Sequence, residues 1–200
     1  MTSIRPEDDP RPGVAGAHPV EQADIAAAET LARHRDHPAV KALGKLSELG
    51  DQPPLFALSG AVLAAGLLTR RPRLAEAGAR MLAAMTLATL AKGRIKKAVS
   101  RTRPNVLMDR GEYRTMTGGP DEGPWNSFPS GHTAGAAAVA RALLRVYPRA
   151  GAAAAPVAAG IALVQVPRGA HYPLDVAGGL LVGLAAEALV NAAAAMARRR

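Results

Sequence analysis

Residues 52–69 read QPPLFALSGAVLAAGLLT, eighteen positions without a charge, closed by Arg70, Arg71 and Arg73. At about 1.5 Å of rise per residue, a helix of that length covers about 27 Å, close to the hydrocarbon thickness of a bilayer. Gly and Ala crowd the run and allow helices to approach closely in lipid. Working outward, four more segments share this character. Residues 74–91 form a second apolar run with Glu76 and Arg80 near its start. Residues 131–147 form a third, carrying Arg141 and Arg145 towards its end. Residues 150–167 are again uncharged, and residues 176–197 are interrupted only by Glu187 before Arg198, Arg199 and Arg200 stop them. The pattern predicts an all-α, multi-span transmembrane helical bundle of about five spans. A soluble, alanine-rich bundle is the competing reading, because alanine is a weak membrane residue.

Two further regions differ. Residues 1–48 are expected to be an N-terminal tail, disordered over the Pro-, Gly- and charge-rich stretch 1–19. Residues 20–48 read as one or two surface or amphipathic helices broken at Pro38. The opening MTSIRPEDDPRPG has no apolar core of a signal peptide. Residues 49–200 are expected to be the membrane-embedded domain, and within it residues 92–130 are polar and loop-like.

Composition narrows the chemistry. The 200 residues contain no cysteine, which excludes a disulfide framework and thiolate metal sites. Of the formal net charge of +9, residues 1–50 contribute −2 (6 Lys/Arg, 8 Asp/Glu) and residues 51–200 contribute +11 (19 and 8). A basic body calls for an anionic partner. Aromatic residues are only 3% of the chain, too few to stack on bases, so nucleic acid is not the expected partner.

Three short segments at the edges of apolar runs carry polar chemistry. In residues 127–132, SFPSGH, Ser130 is a good N-cap after Pro129, and a helix start offers free N–H groups to an anion beside His132. In residues 168–175, RGAHYPLD, Pro173 suits a first helical turn and Asp175 follows His171 by four, the spacing of one helix face. A carboxylate there can hold one imidazole nitrogen and leave the other free to attack. In residues 96–104, KKAVSRTRP, Lys96 and Arg103 flank a turn before Pro104. Lys92, Arg94, Lys97 and Arg101 are expected to meet lipid headgroups. Taken one at a time, a surface histidine, a structural His–Asp pair and headgroup-binding cations are also ordinary readings.

Together these segments resemble the signature of the type-2 phosphatidic acid phosphatase family, which also includes vanadium-dependent haloperoxidases. The family pattern is Lys, six residues, Arg-Pro; then Pro-Ser-Gly-His; then Ser-Arg, five residues, His, three residues, Asp. Lys96 to Arg103-Pro104, Pro129-Ser130-Gly131-His132, and His171 with Asp175 match it in order. The resemblance covers roughly residues 50–200. It departs once, since the family's Ser-Arg falls on Val164-Gln165, and Arg168 is the nearest arginine.

The resemblance implies a metal-independent lipid phosphatase without a cofactor. His171 would attack phosphorus and form a phosphohistidine, Asp175 would orient it, and His132 would act as the acid and then activate water. Lys96, Arg103, Ser130, the Gly131 N–H and Arg168 would hold phosphate, so no Mg²⁺ is needed. The implied partners are membrane lipids and a lipid-phosphate substrate: a polyprenyl phosphate or diphosphate first, phosphatidate or phosphatidylglycerol phosphate next. Gln165 motivates an alternative, a catalytically weak lipid-phosphate-binding membrane protein. The positive-inside rule puts Arg70–Arg73, Arg145, Arg149 and the terminal arginines in the cytoplasm and the site on the outer face of the cell membrane.

Overall fold

Six of the eight helices among the described residues begin with proline at the first helical position: Pro19, Pro38, Pro72, Pro104, Pro148 and Pro173. Proline lacks the N–H that a helix start leaves unpaired anyway, and its fixed φ suits the first turn. The computed structural model describes Arg11, residues 13–118 and residues 123–199. Its helices are α1 (Pro19–Ala32), α2 (Pro38–Ser47), α3 (Gln52–Leu68), α4 (Pro72–Ala98), α5 (Pro104–Arg110), α6 (Gly131–Val146), α7 (Pro148–Val164) and α8 (Pro173–Ala197). Strands β1 (Val99–Arg101) and β2 (Thr115–Thr117) pair antiparallel, with Ser100 opposite Met116.

The five apolar runs correspond to α3, α4, α6, α7 and α8. Among the described residues only α4 and α8, of 27 and 25 residues, are both long and apolar enough to cross a bilayer on their own; α3 and α7 are apolar but have 17 residues each. Helix α6 lies at the centre and packs against α3, α4, α7 and α8. Its residues from Thr133 to Ala140 are all buried. The core around it is made of small and flexible side chains, with Met81, Met85, Ala88, Ala138, Ala142 and Ala186 among them. Large apolar side chains face outward instead, including Leu67, Leu68, Val157, Leu163, Leu181 and Leu189. That inversion suits a lipid surrounding.

Close helix approach has a specific cause. A Cβ added at Gly179 would sit 2.4 Å from the Ser130 carbonyl oxygen, and one at Gly183 would sit 2.4 Å from that of Ala134. Only glycine lets α8 lie this near α6. Charges at the far end are paired: Glu187, 2% exposed, takes Arg141 Nε at 2.8 Å and Arg145 Nε at 3.0 Å.

The region 92–130 differs from the expected loop. Helix α4 continues through Lys92–Ala98 because lysine, arginine and alanine are good helix formers even where the apolar pattern ends. The β1–β2 hairpin and α5 follow, and α5 closes on Gly111 at φ 73°. The expected disorder of residues 1–10 and Pro12 lies outside the described residues. Val14 differs from it: the side chain is buried against the cluster holding Ile25, Leu107, Tyr113 and Tyr172. Residues 20–48 form two helices, α1 and α2, parted before Pro38.

The glycine contacts set an order of stabilities. Gly179→Ala and Gly183→Ala are expected to cost about 1–3 kcal/mol each through overpacking. Gly160→Ala, in α7 with nothing within 4 Å of its Cβ position, is expected to be neutral or to gain up to about 1 kcal/mol. Thermal unfolding in detergent ranks the three variants.

Candidate active site

The N-terminal ends of α3, α6 and α8 and the C-terminal ends of α4 and α7 lie at one end of the bundle, where the polar segments converge. Lys96, in the last turn of α4, donates from Nζ to the Asn126 carbonyl at 2.6 Å. Arg103, the N-cap of α5, reaches the same carbonyl at 3.4 Å, Gly123 O at 2.6 Å and Ala170 O at 3.3 Å. The two cations therefore share one carbonyl, and Arg103 also touches the residue before His171.

Ser130 is the N-cap of α6 and its hydroxyl accepts from the Thr133 N–H at 3.5 Å, as the sequence led us to expect. Its own N–H donates to the Asp175 carbonyl at 2.9 Å, which ties the start of α6 to α8. Gly131 follows, with Lys92 Nζ 3.2 Å from the place its Cβ would take. Lys92 thus lies at the site rather than out among headgroups. Next comes His132, whose Nε2 lies 3.5 Å from Glu48 Oε2.

His171 is 3% exposed and its Nδ1 lies 3.6 Å from Asp175 Oδ2. The contact does not arise on a shared helix face. His171 precedes the N-cap Tyr172, and Asp175, the third residue of α8, turns its carboxylate back over the helix start. That carboxylate is fully buried. Oδ1 accepts from Arg101 Nη1 at 2.9 Å, while Oδ2 accepts from Ser127 Oγ at 2.5 Å and from the Tyr172 N–H at 2.9 Å. Burial pushes the His171 pKa down to about 4, and the charges of Arg103 and Lys96 add to this while Asp175 opposes it. At neutral pH the imidazole is therefore uncharged and keeps a lone pair available.

Gln165, at the position of the family's arginine, and Arg168 both turn to Ser47. Gln165 is fully buried; its Nε2 donates to Ile161 O at 2.9 Å and Ser47 Oγ at 3.3 Å, and its backbone carbonyl receives the His171 N–H at 3.1 Å. Arg168 pairs with Glu48 Oε1 at 2.7 Å and donates to Ser47 Oγ at 2.9 Å. Burial pushes the Glu48 carboxyl up, but Arg168 and His132 override this and hold it below its usual range. Glu48, in the turn after α2, thus stands between Arg168 and His132.

Sequence reasoning missed three participants and misplaced two. Lys92 and Arg101 were both expected among lipid headgroups; Arg101 is 4% exposed and grips Asp175. Ser127, inside the SFPSGH segment, carries no sequence signal that separates it from an ordinary serine, yet it donates to Asp175. Asp24 and Glu48 carry no local motif, being joined to the site only by the fold.

The PAP2 superfamily profile matches residues 77–199. The chain belongs to the PAP2 superfamily. It is 32% identical over 158 residues to a lipid A 1-phosphatase of Rhizobium etli, covering 72% of this chain and 67% of that protein. A lipid A 1-phosphatase of Rhizobium johnstonii is 32% identical over 108 residues, covering 53% of this chain and 43% of that protein. Two crystal structures share the fold at a TM-score of 0.63. Aquifex aeolicus LpxE has 23% identity, covering 83% of this chain and 93% of that one. The first transmembrane PAP2-type phosphatidylglycerolphosphate phosphatase from Bacillus subtilis has 22%, covering 88% and 86%. This PAP2 chain is accordingly a membrane protein and a phosphatase. Helices α1 and α2, with Asp24 and Glu48, precede the matched region.

Acid stability follows from His171. Its folded-state pKa near 4 lies below the ordinary histidine value of 6.5. Between those values the unfolded chain binds a proton that the folded chain refuses, so the His171 contribution is complete above about pH 6.5 and is lost as pH falls towards 4. We expect the His171 ring resonances of labelled protein to stay those of neutral imidazole from about pH 7 to about pH 5.5.

Proposed function

We propose that this PAP2 protein hydrolyses a phosphate ester or anhydride of a membrane lipid through a phosphohistidine on His171, without a metal. The observation that supports it most is the convergence at one end of the bundle: neutral His171 beside Asp175, two cations sharing the Asn126 carbonyl, and His132 in the first turn of α6. With Nδ1 turned to Asp175, Nε2 of His171 is the nitrogen left to attack phosphorus. The N–P bond forms as the bond to the lipid oxygen breaks, and His132 delivers a proton to that oxygen. Water, deprotonated by His132, then displaces the phosphate from nitrogen. Lys96, Arg103, Ser130 and the Gly131 N–H hold the equatorial oxygens, and Arg168 joins them when it leaves Glu48.

An apolar groove of about 630 Å³ supports a lipid substrate. It runs between α6, α7 and α8, lined by Thr133, Ala137, Ala162, Val166, Pro173 and Val176, so its lining includes the residue after His132 and the second residue after His171. The relatives' activities make a glycolipid 1-phosphate and phosphatidylglycerol phosphate the first candidates, with polyprenyl phosphates as the third. The membrane reading extends to five spans, α3, α4, α6, α7 and α8, with the site end outward. Arg70, Arg71, Arg73, Arg149 and Arg198 gather at the opposite end, as the positive-inside rule asks of a cytoplasmic face.

Phosphate release from these three lipid classes, with EDTA present, tests the reading. His132→Ala is expected to lower kcat by about 10²–10⁴-fold, and His171→Ala to leave only background. Full activity of His171→Ala contradicts the mechanism. A second reading, lipid-phosphate binding with weak turnover, is favoured by Gln165 and by the hold of Glu48 on Arg168. A large gain in kcat for Gln165→Arg supports it; no gain assigns the role to Arg168.

A further inference from the structure

We propose that Arg101, held by Asp24 of α1, is a positioning residue for the Asp175–His171 pair, so that a helix outside the matched family region completes the active site. The inference rests on the phosphatase reading above.

All three guanidinium nitrogens of Arg101 are engaged. Nη1 meets Asp175 Oδ1 at 2.9 Å, Nη2 meets Asp24 Oδ2 at 2.8 Å, and Nε donates to the Tyr113 hydroxyl at 3.0 Å. Its guanidinium carbon lies 4.0 Å from the centre of the Tyr172 ring, over the residue next to His171. Tyr113 passes the chain on, donating to Glu21 Oε1 at 3.0 Å. Glu21 and Asp24 lie three apart on α1 and so share a face. Asp24, 6% exposed, does a second thing: Oδ1 accepts the Leu174 N–H at 2.9 Å, in the first turn of α8. One carboxylate thereby holds both Arg101 and the turn that carries Asp175.

A buried guanidinium between two carboxylates is an expensive arrangement for stability alone, since apolar residues of similar volume often do as well. Its distinctive effect is electrostatic. Arg101 sets a positive charge against Asp175 Oδ1 and leaves Oδ2 facing His171, and the Asp24 carboxylate stands against the same guanidinium. Burial lowers a guanidinium pKa, yet Asp175, Tyr113 and Asp24 together raise that of Arg101. The charges acting directly on His171 are Asp175, Arg103 and Lys96. Arg101 acts one step behind them, through Asp175.

The two substitutions should move the acid limb of the kcat–pH profile in opposite directions. Arg101→Gln removes a cation, so His171 gains protons more easily and the limb moves to higher pH. Asp24→Asn removes an anion while keeping an oxygen for the Leu174 N–H, so the limb moves to lower pH. Shifts of roughly one pH unit are expected, with kcat at neutral pH down at least about tenfold for Arg101→Gln and KM little changed. Arg101→Lys keeps the charge but not the fork; its limb stays at the wild-type position while its kcat falls less than that of Arg101→Gln. The full chain is assayed in detergent, with elution volume and thermal unfolding checking the fold. If Arg101→Gln does not fold, Asp24→Asn and Arg101→Lys decide the matter by the same shift and split. Folded variants with unshifted limbs, or shifts of the same sign, overturn the proposal while the wild type remains a His171-dependent phosphatase. A wild type that releases no lipid phosphate overturns both.

Discussion

The carboxylate of Asp175 has no access to water, and four groups converge on it: Arg101 Nη1, Ser127 Oγ, the Tyr172 N–H and, slightly further off, His171 Nδ1. An ion in that position is tolerable only if its partners stay in place. They come from three separate pieces of the chain, His171 and Tyr172 being neighbours. Arg101 is on β1, Ser127 precedes the Pro129–Gly131 turn, and Tyr172 caps α8. The Asp175 carbonyl meanwhile receives the Ser130 N–H, so the starts of α6 and α8 are registered to each other at the point where the proposed mechanism needs the two histidines together.

The rest of the bundle serves that registration. Gly179 and Gly183 bring α8 against the backbone of α6, and the alanine-rich interior of α6 lets four helices crowd around it. At the opposite end, Glu187 gathers Arg141 and Arg145 and pins α6 to α8 a second time. The two helices are thus clamped by polar contacts at both ends and by close backbone contact between them. That rigidity is what phosphoryl transfer requires, because its catalysis is mostly positioning and charge stabilisation.

Much of this was legible in the sequence. Apolar runs ending at Arg70 and Arg198 marked α3 and α8, Ser130 marked an N-cap, and the spacing of proline, histidine and basic residues marked the three polar segments. Helix periodicity misled at one point: His171 and Asp175 are four apart, yet His171 lies before the helix, and their contact comes from a carboxylate folding back over the helix start. Arg101 looked like any basic residue near a membrane edge, because burial cannot be read from a charge. Asp24 and Glu48 were invisible for a deeper reason. Each is a single carboxylate in an ordinary amphipathic stretch, and only tertiary folding carries them to Arg101 and His132, far along the chain.

The most direct test of the account is to trap the phosphoryl group during turnover with a labelled lipid phosphate, quench rapidly in alkali and map the modified peptide. An alkali-stable, acid-labile phosphoryl group on His171, absent from His171→Ala, is the expected result. A label on any other residue, or single-turnover phosphate release with no protein-bound label at any time, contradicts it.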